Sequence, residues 1–114
     1  MSPGPAKKIT IHVNEDTSAR KDFLYTEIFS FLMAQGVAGA TLIRPQAGFG
    51  SHHQLHSVEG ASAAAEHMPV RIEFIETQEK VDALLPALFD LVTDGLIEAH
   101  DTTILKFAAS RERR

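Results

Sequence analysis

Pro69-Val70-Arg71-Ile72-Glu73-Phe74-Ile75 alternates apolar and polar side chains from Val70 to Phe74. A period of two belongs to a β-strand with one buried face, so Val70, Ile72 and Phe74 are predicted to point inward. Lys8-Ile9-Thr10-Ile11-His12-Val13 repeats the pattern and makes another such strand, closed by Asn14, Glu15 and Asp16. From about Lys21 the spacing lengthens: Leu24, Ile28, Phe31 and Leu32 form one stripe of a helix, which Gly36 stops in the left-handed conformation. Gly39 to Arg44 is β-biased and stopped by Pro45. Beyond the opening stretch, Thr77 or Glu76 caps a second helix carrying Val81, Leu84, Leu85, Leu88 and Val92 and ending at Gly95. Pro86 falls inside it, which predicts a kink or a local break. Leu96 to Phe107 reads as the last strand, irregular around Asp101-Thr102-Thr103.

The order is β-α-β-β-α-β. The predicted fold class is therefore α+β, a ferredoxin-like sandwich in which two helices cover one face of a four-stranded antiparallel sheet. The other face takes Thr10, His12, Arg71, Glu73 and Thr41, with Ile43 and Ile75 among them; such a face is either wet or buried in an oligomer. Tyr25, Phe29 and Met33 make a second row on the first helix, a surface that a partner subunit would cover.

Bulk properties narrow the function. The chain has 114 residues, 44% hydrophobic and 23% charged, which fits one globular domain. Residues 1–6, with Pro3, Gly4 and Pro5, read as a flexible lead-in, residues 7–108 as the domain, and 109–114 as a basic tail. A net charge of −4 with dispersed basic residues gives no footprint for nucleic acid. The absence of cysteine excludes disulfides and thiolate chemistry and suits a reducing cytoplasm. No apolar run is long enough to span a membrane, and no apolar stretch follows Lys7 and Lys8 to make a signal peptide or anchor.

The chemistry gathers in Ala47-Gly48-Phe49-Gly50-Ser51-His52-His53-Gln54-Leu55-His56-Ser57, at the root of a connection running from residue 46 to 68. Hairpins normally need about two to five residues, so a connection of this length is either functional or disordered. His52, His53 and His56 have an H-H-x-x-H spacing that zinc or copper accepts, although no glutamate follows the first histidine to act as a hydrolytic base. Ser51 beside His52 does not form the G-x-S-x-G elbow of a nucleophile. Gly48 and Gly50 let backbone N–H groups face an anion, with Arg44 and Arg71 as cations at either end of the connection. The alternative is that both glycines only turn the chain around a buried Phe49. His12 and His100 are read as sheet-face residues with ordinary hydrogen-bond partners.

Gly39-Ala40-Thr41, Gly48-Phe49-Gly50, Leu55-His56-Ser57, Pro69-Val70-x-Ile72-Glu73, Glu79-Lys80-Val81 and Leu85-Pro86, at these spacings, resemble the domain-of-unknown-function 190 (DUF190) family of the PII-like group. The resemblance runs from about Ile9 to Phe107. It implies a trimer built around its sheets and a regulator rather than an enzyme. A small effector, a nucleotide or another anion, would bind between subunits. The central loop would engage a partner such as a membrane transporter or another regulated protein. Arg44, Gly48, Phe49, Gly50, His56 and Arg71 are the effector-binding candidates; a divalent-cation protein using His52, His53 and His56 is the alternative. The junction Thr93-Asp94-Gly95-Leu96 lacks the lysine found in ATP-binding PII proteins, so a nucleotide would be held by other groups.

Overall fold

The computed structural model describes residues 1–19, 22–49, 56–57 (backbone) and 68–109. Among the described residues six strands and two helices follow in the order β1 (Gly4–Asn14), α1 (Leu24–Ala34), β2 (Thr41–Ile43), β3 (Ala47–Gly48), β4 (His56–Ser57), β5 (Pro69–Glu76), α2 (Gln78–Leu91) and β6 (Leu96–Ile104). Four of them form an antiparallel sheet in the order β2-β5-β1-β6. This is the predicted ferredoxin-like arrangement: β2 and β5 are direct neighbours, and each helix leads a crossover, α1 from β1 to β2 and α2 from β5 to β6.

The register follows from the apolar alternation. Ile9, Ile11 and Val13 of β1 lie opposite Phe74, Ile72 and Val70 of β5. All six are buried and share one face with Leu24, Ile28 and Leu32 of α1 and Val81, Leu84 and Leu88 of α2. Burying such side chains stabilises by roughly 1.5–3 kcal/mol each before entropy is counted. A slip of one residue would turn the whole set to solvent, so the core and the register determine each other.

The helices are anchored at their ends. The Thr77 hydroxyl accepts a hydrogen bond from the Lys80 backbone N–H at 3.3 Å and so caps α2. Lys80 Nζ donates to the carbonyl of Gln35 at 2.6 Å, tying α2 to the C-terminus of α1, where Gly36 takes a φ of +75°. Buried Glu76 accepts from the Ala38 N–H at 2.9 Å and fixes the chain leading into β2.

Several features differ from the sequence reading. Strand β1 starts at Gly4, inside residues expected to be a flexible lead-in, and Ala6 is buried. Gly4, Pro5 and Ala6 pair only with β6, because β5 ends opposite Lys7. One-sided pairing is where a strand tolerates proline. The last strand is regular through Asp101-Thr102-Thr103, which lie opposite Lys7, Ala6 and Pro5. Helix α2 is not broken at Pro86. Val81, Leu84 and Leu88, buried on either side of the proline, offset the lost hydrogen bond. Finally, the 46–68 connection is zipped at its root: β3 and β4 pair Ala47 with Ser57 and Gly48 with His56. The second row of α1 is graded, with Tyr25 and Phe29 half-buried and Met33 exposed.

Two substitutions test this account by chemical denaturation. Leu88→Ala should cost about 2–5 kcal/mol as a core cavity. Thr77→Ala should cost about 1 kcal/mol as a lost cap. Equal costs for the two would mean that α2 is not held chiefly by its buried stripe.

Candidate functional site

Where β1 ends, three parts of the chain converge. The turn entering β6 is pressed against β1: a Cβ at Gly95 would collide with the His12 carbonyl oxygen and lie 2.9 Å from Val13 Cγ1. Only glycine allows that approach. Gly48 of β3 sits against Pro69, whose Cγ would be 3.0 Å from an added Cβ. The next residue, Phe49, is 64% exposed, so the glycine turn does not enclose a buried phenylalanine. Together these segments frame a cleft of about 280 Å³ lined by His12, Asn14, Phe49, Pro69, Asp94 and Gly95 among others. An aromatic face, carboxylate and amide groups, an imidazole and close-packed backbone suit a planar, hydrogen-bonding ligand.

The two predicted cations lie elsewhere in the protomer. Arg44 is on the helix side of the sheet, where its Nε donates to Glu15 Oε1 at 3.0 Å and its guanidinium lies 5.8 Å from the centre of the Tyr25 ring. Tyr25 in turn stacks on Phe23 at 6.1 Å. The hydrogen bond to Glu15 holds the Arg44 guanidinium above its ordinary pKa. Arg71 is on the opposite, open face, 3.8 Å from Glu73. Gly48 and His56 are brought together as ladder partners. Gly50, His52 and His53 lie outside the described residues, as does the side chain of His56, and with them the expected histidine metal cluster. Among the described residues no three His, Asp or Glu side chains are placed to hold a metal ion.

The open face carries a polar network that the sequence reading only half found. Glu98 on β6 accepts from His12 Nε2 at 2.6 Å and from His100 Nε2 at 2.8 Å. The carboxylate is thereby held below its ordinary pKa, first by His12 and then by His100. Lys8 lies 3.4 Å from Glu73 on this face, whereas Lys7, one residue earlier on β1 and so on the other side of the strand, pairs with Asp101. His12 and His100 were expected to have ordinary partners; Glu98 was not singled out. Its period-two spacing from His100 was visible in the sequence, but its meeting with His12 depends on the β1–β6 register.

Two outcomes follow from this geometry. Gly95→Ala should destabilise by about 1–3 kcal/mol through overpacking. Gly39→Ala, where an added Cβ meets nothing within 4 Å, should be neutral or stabilise by up to about 1 kcal/mol. The second outcome concerns pH. Because the folded pKa of Glu98 is depressed, its contribution is complete above the ordinary glutamate value and is lost as pH falls through the depressed one. Glu98→Gln should therefore flatten the acid limb of the stability profile. Glu98 is partly exposed, so the effect should shrink with added salt.

Comparison with known proteins agrees with this architecture. The DUF190 family model (Uncharacterized ACR) matches residues 6–104. The UPF0166 protein MJ1524 of Methanocaldococcus jannaschii is 26% identical over 89% of this chain and 93% of its own length. Among solved structures, CPII, a nitrogen regulatory PII-like protein from Thiomonas intermedia K12 bound to ADP, AMP and bicarbonate, superposes with a TM-score of 0.62 at 21% identity, covering 91% of this chain and 99% of that one. CPII bound to ADP and bicarbonate matches at 26% identity with a TM-score of 0.58, covering 90% of each chain. The match across residues 6–104, on a ferredoxin-like PII-like fold, shows that this chain belongs to the DUF190 family.

Proposed function

We propose that this protein is a cytoplasmic PII-like regulator. It acts by binding rather than catalysis, and the cleft between Phe49 and the Asp94-Gly95-Leu96 turn takes an adenine nucleotide. The observation that carries this reading is the position of Phe49. It lines the cleft and directly follows the β3–β4 ladder that closes the root of the 46–68 connection. A ligand stacked there touches the loop itself, so binding energy can favour one loop conformation over another. CPII, of the same fold, is bound to ADP, AMP and bicarbonate.

No lysine or arginine lines the cleft among the described residues. Phosphate groups would need cations, and on this reading a second copy supplies them through Arg44 or Arg71 in a trimer packed around its sheets. Gly48, Gly50 and His56 would shape the loop root against the ligand. The loop would then present or withdraw a surface read by a regulated protein, such as a transporter. No helix among the described residues is long and apolar enough to cross a membrane, so the transporter would be met at the membrane surface.

Thermal unfolding with ADP, AMP, ATP and bicarbonate, run beside light scattering, tests the proposal. We expect a mass three times that of one chain. We also expect a midpoint that rises with nucleotide concentration, equivalent to about 2.7 kcal/mol at a hundred times Kd. Phe49→Ala, at an exposed position, should abolish the rise without altering the ligand-free midpoint. No response to any of the four ligands, or an undiminished response in Phe49→Ala, would overturn the reading.

A further inference from the structure

On the far side of the molecule from the open sheet face, α1 and α2 leave a groove of about 670 Å³ between them. Its floor is apolar, formed by Ala19, Phe31, Ala87 and Leu91, and its walls carry the carboxylates of Glu27 and Asp90. Both acids lie among the described residues, and neither forms an ion pair or side-chain hydrogen bond there.

The charge around the groove is one-sided. The two helices carry Glu27, Glu79, Asp82 and Asp90 against Lys80 alone, and Lys80 is committed to the Gln35 carbonyl at the other end of α2. Asp90 stands in the last turn of α2, where the helix dipole already ends in negative potential, and neither helix has a basic residue in its last turn. A carboxylate there is unfavourable by its local electrostatics, and among the described residues no cation lines the groove to compensate it. Of the other described cations, Lys7, Lys8 and Arg71 belong to the sheet, Lys106 follows β6, and Arg44 is committed to Glu15.

We infer that this inter-helix groove is a docking site for a basic amphipathic segment of a partner protein, which lays leucine- or phenylalanine-like side chains on Phe31 and Leu91 and places arginine or lysine between Glu27 and Asp90. Charge complementarity selects this occupant: an apolar floor alone would accept any greasy segment, whereas two carboxylates without a described cationic partner, one of them (Asp90) at the negative end of a helix dipole, select a cationic one. The groove shares no lining residue with the cleft at Phe49, although its Thr93 adjoins Asp94 of the cleft.

The test uses the full-length protein and a fluorescent, amidated helical peptide of leucine and arginine at i, i+3, i+4 spacing, with its leucine–glutamate counterpart as control. We expect the arginine peptide alone to bind, with affinity falling as salt rises. The E27Q/D90N double variant, whose fold is checked by circular dichroism, should weaken binding about tenfold. E79Q/D82N, at the opposite end of α2, should leave affinity within about twofold. Equal loss in both double variants would reduce the effect to overall charge and overturn the proposal, as would equal binding of both peptides. Arg20 and Lys21 follow Ala19 in the chain and lie outside the described residues. If they already served as the groove's cations, the wild-type protein would ignore the peptide until R20A/K21A was made, and that result also overturns it.

Discussion

The pairing of β1 on both sides is the constraint on which the rest of the structure depends. Its odd-numbered residues Ile9, Ile11 and Val13 form the middle of the core, and its even-numbered residues Thr10 and His12 form the middle of the open face. Because both neighbours run antiparallel to it, the end of β1 at Asn14 meets the start of β5 at Pro69 and lies beside the turn into β6. The cleft exists because these chain ends coincide. Loop residue Phe49 and turn residue Gly95 are far apart in sequence and meet only across this strand.

The fold was legible because its signal is local. Alternation in Val70-Arg71-Ile72-Glu73-Phe74, the stripe through Leu24 and Ile28, and the Gly36 stop each lie within a few residues, and each element formed as that pattern requires. The errors occurred where pairing overrides composition. Asp101-Thr102-Thr103 looks like an interruption, yet it is strand because β1 offers partners on that side. Pro86 looks like a break, yet the buried residues on either side keep the helix intact.

The site was less legible for the same reason. Gly95 reads as a helix stop, and only the three-dimensional register reveals that it allows two backbones to touch. Glu98 looks like one more acid in a polar strand until His12 is brought to it from the opposite end of the chain. Arg44 and Arg71 bracket the loop in sequence and read as a pair there, but the sheet lies between them. Sequence proximity to a loop says little about which face a side chain takes when strand period decides it.

The ladder at the loop root has two residue pairs among the described residues, Ala47–Ser57 and Gly48–His56. An isolated two-stranded ribbon is marginal in water even when longer, so the free energy separating its closed and open forms is small. On the proposed reading, moving such an equilibrium from one form at about 1% to the same form at about 99% would take a differential affinity of about 10⁴, and a smaller gap would need less. The four-stranded sheet supplies rigidity by cross-strand pairing along β1, and the same backbone chemistry reduced to two rungs holds the loop root far less firmly, which is what the proposed ligand response would exploit.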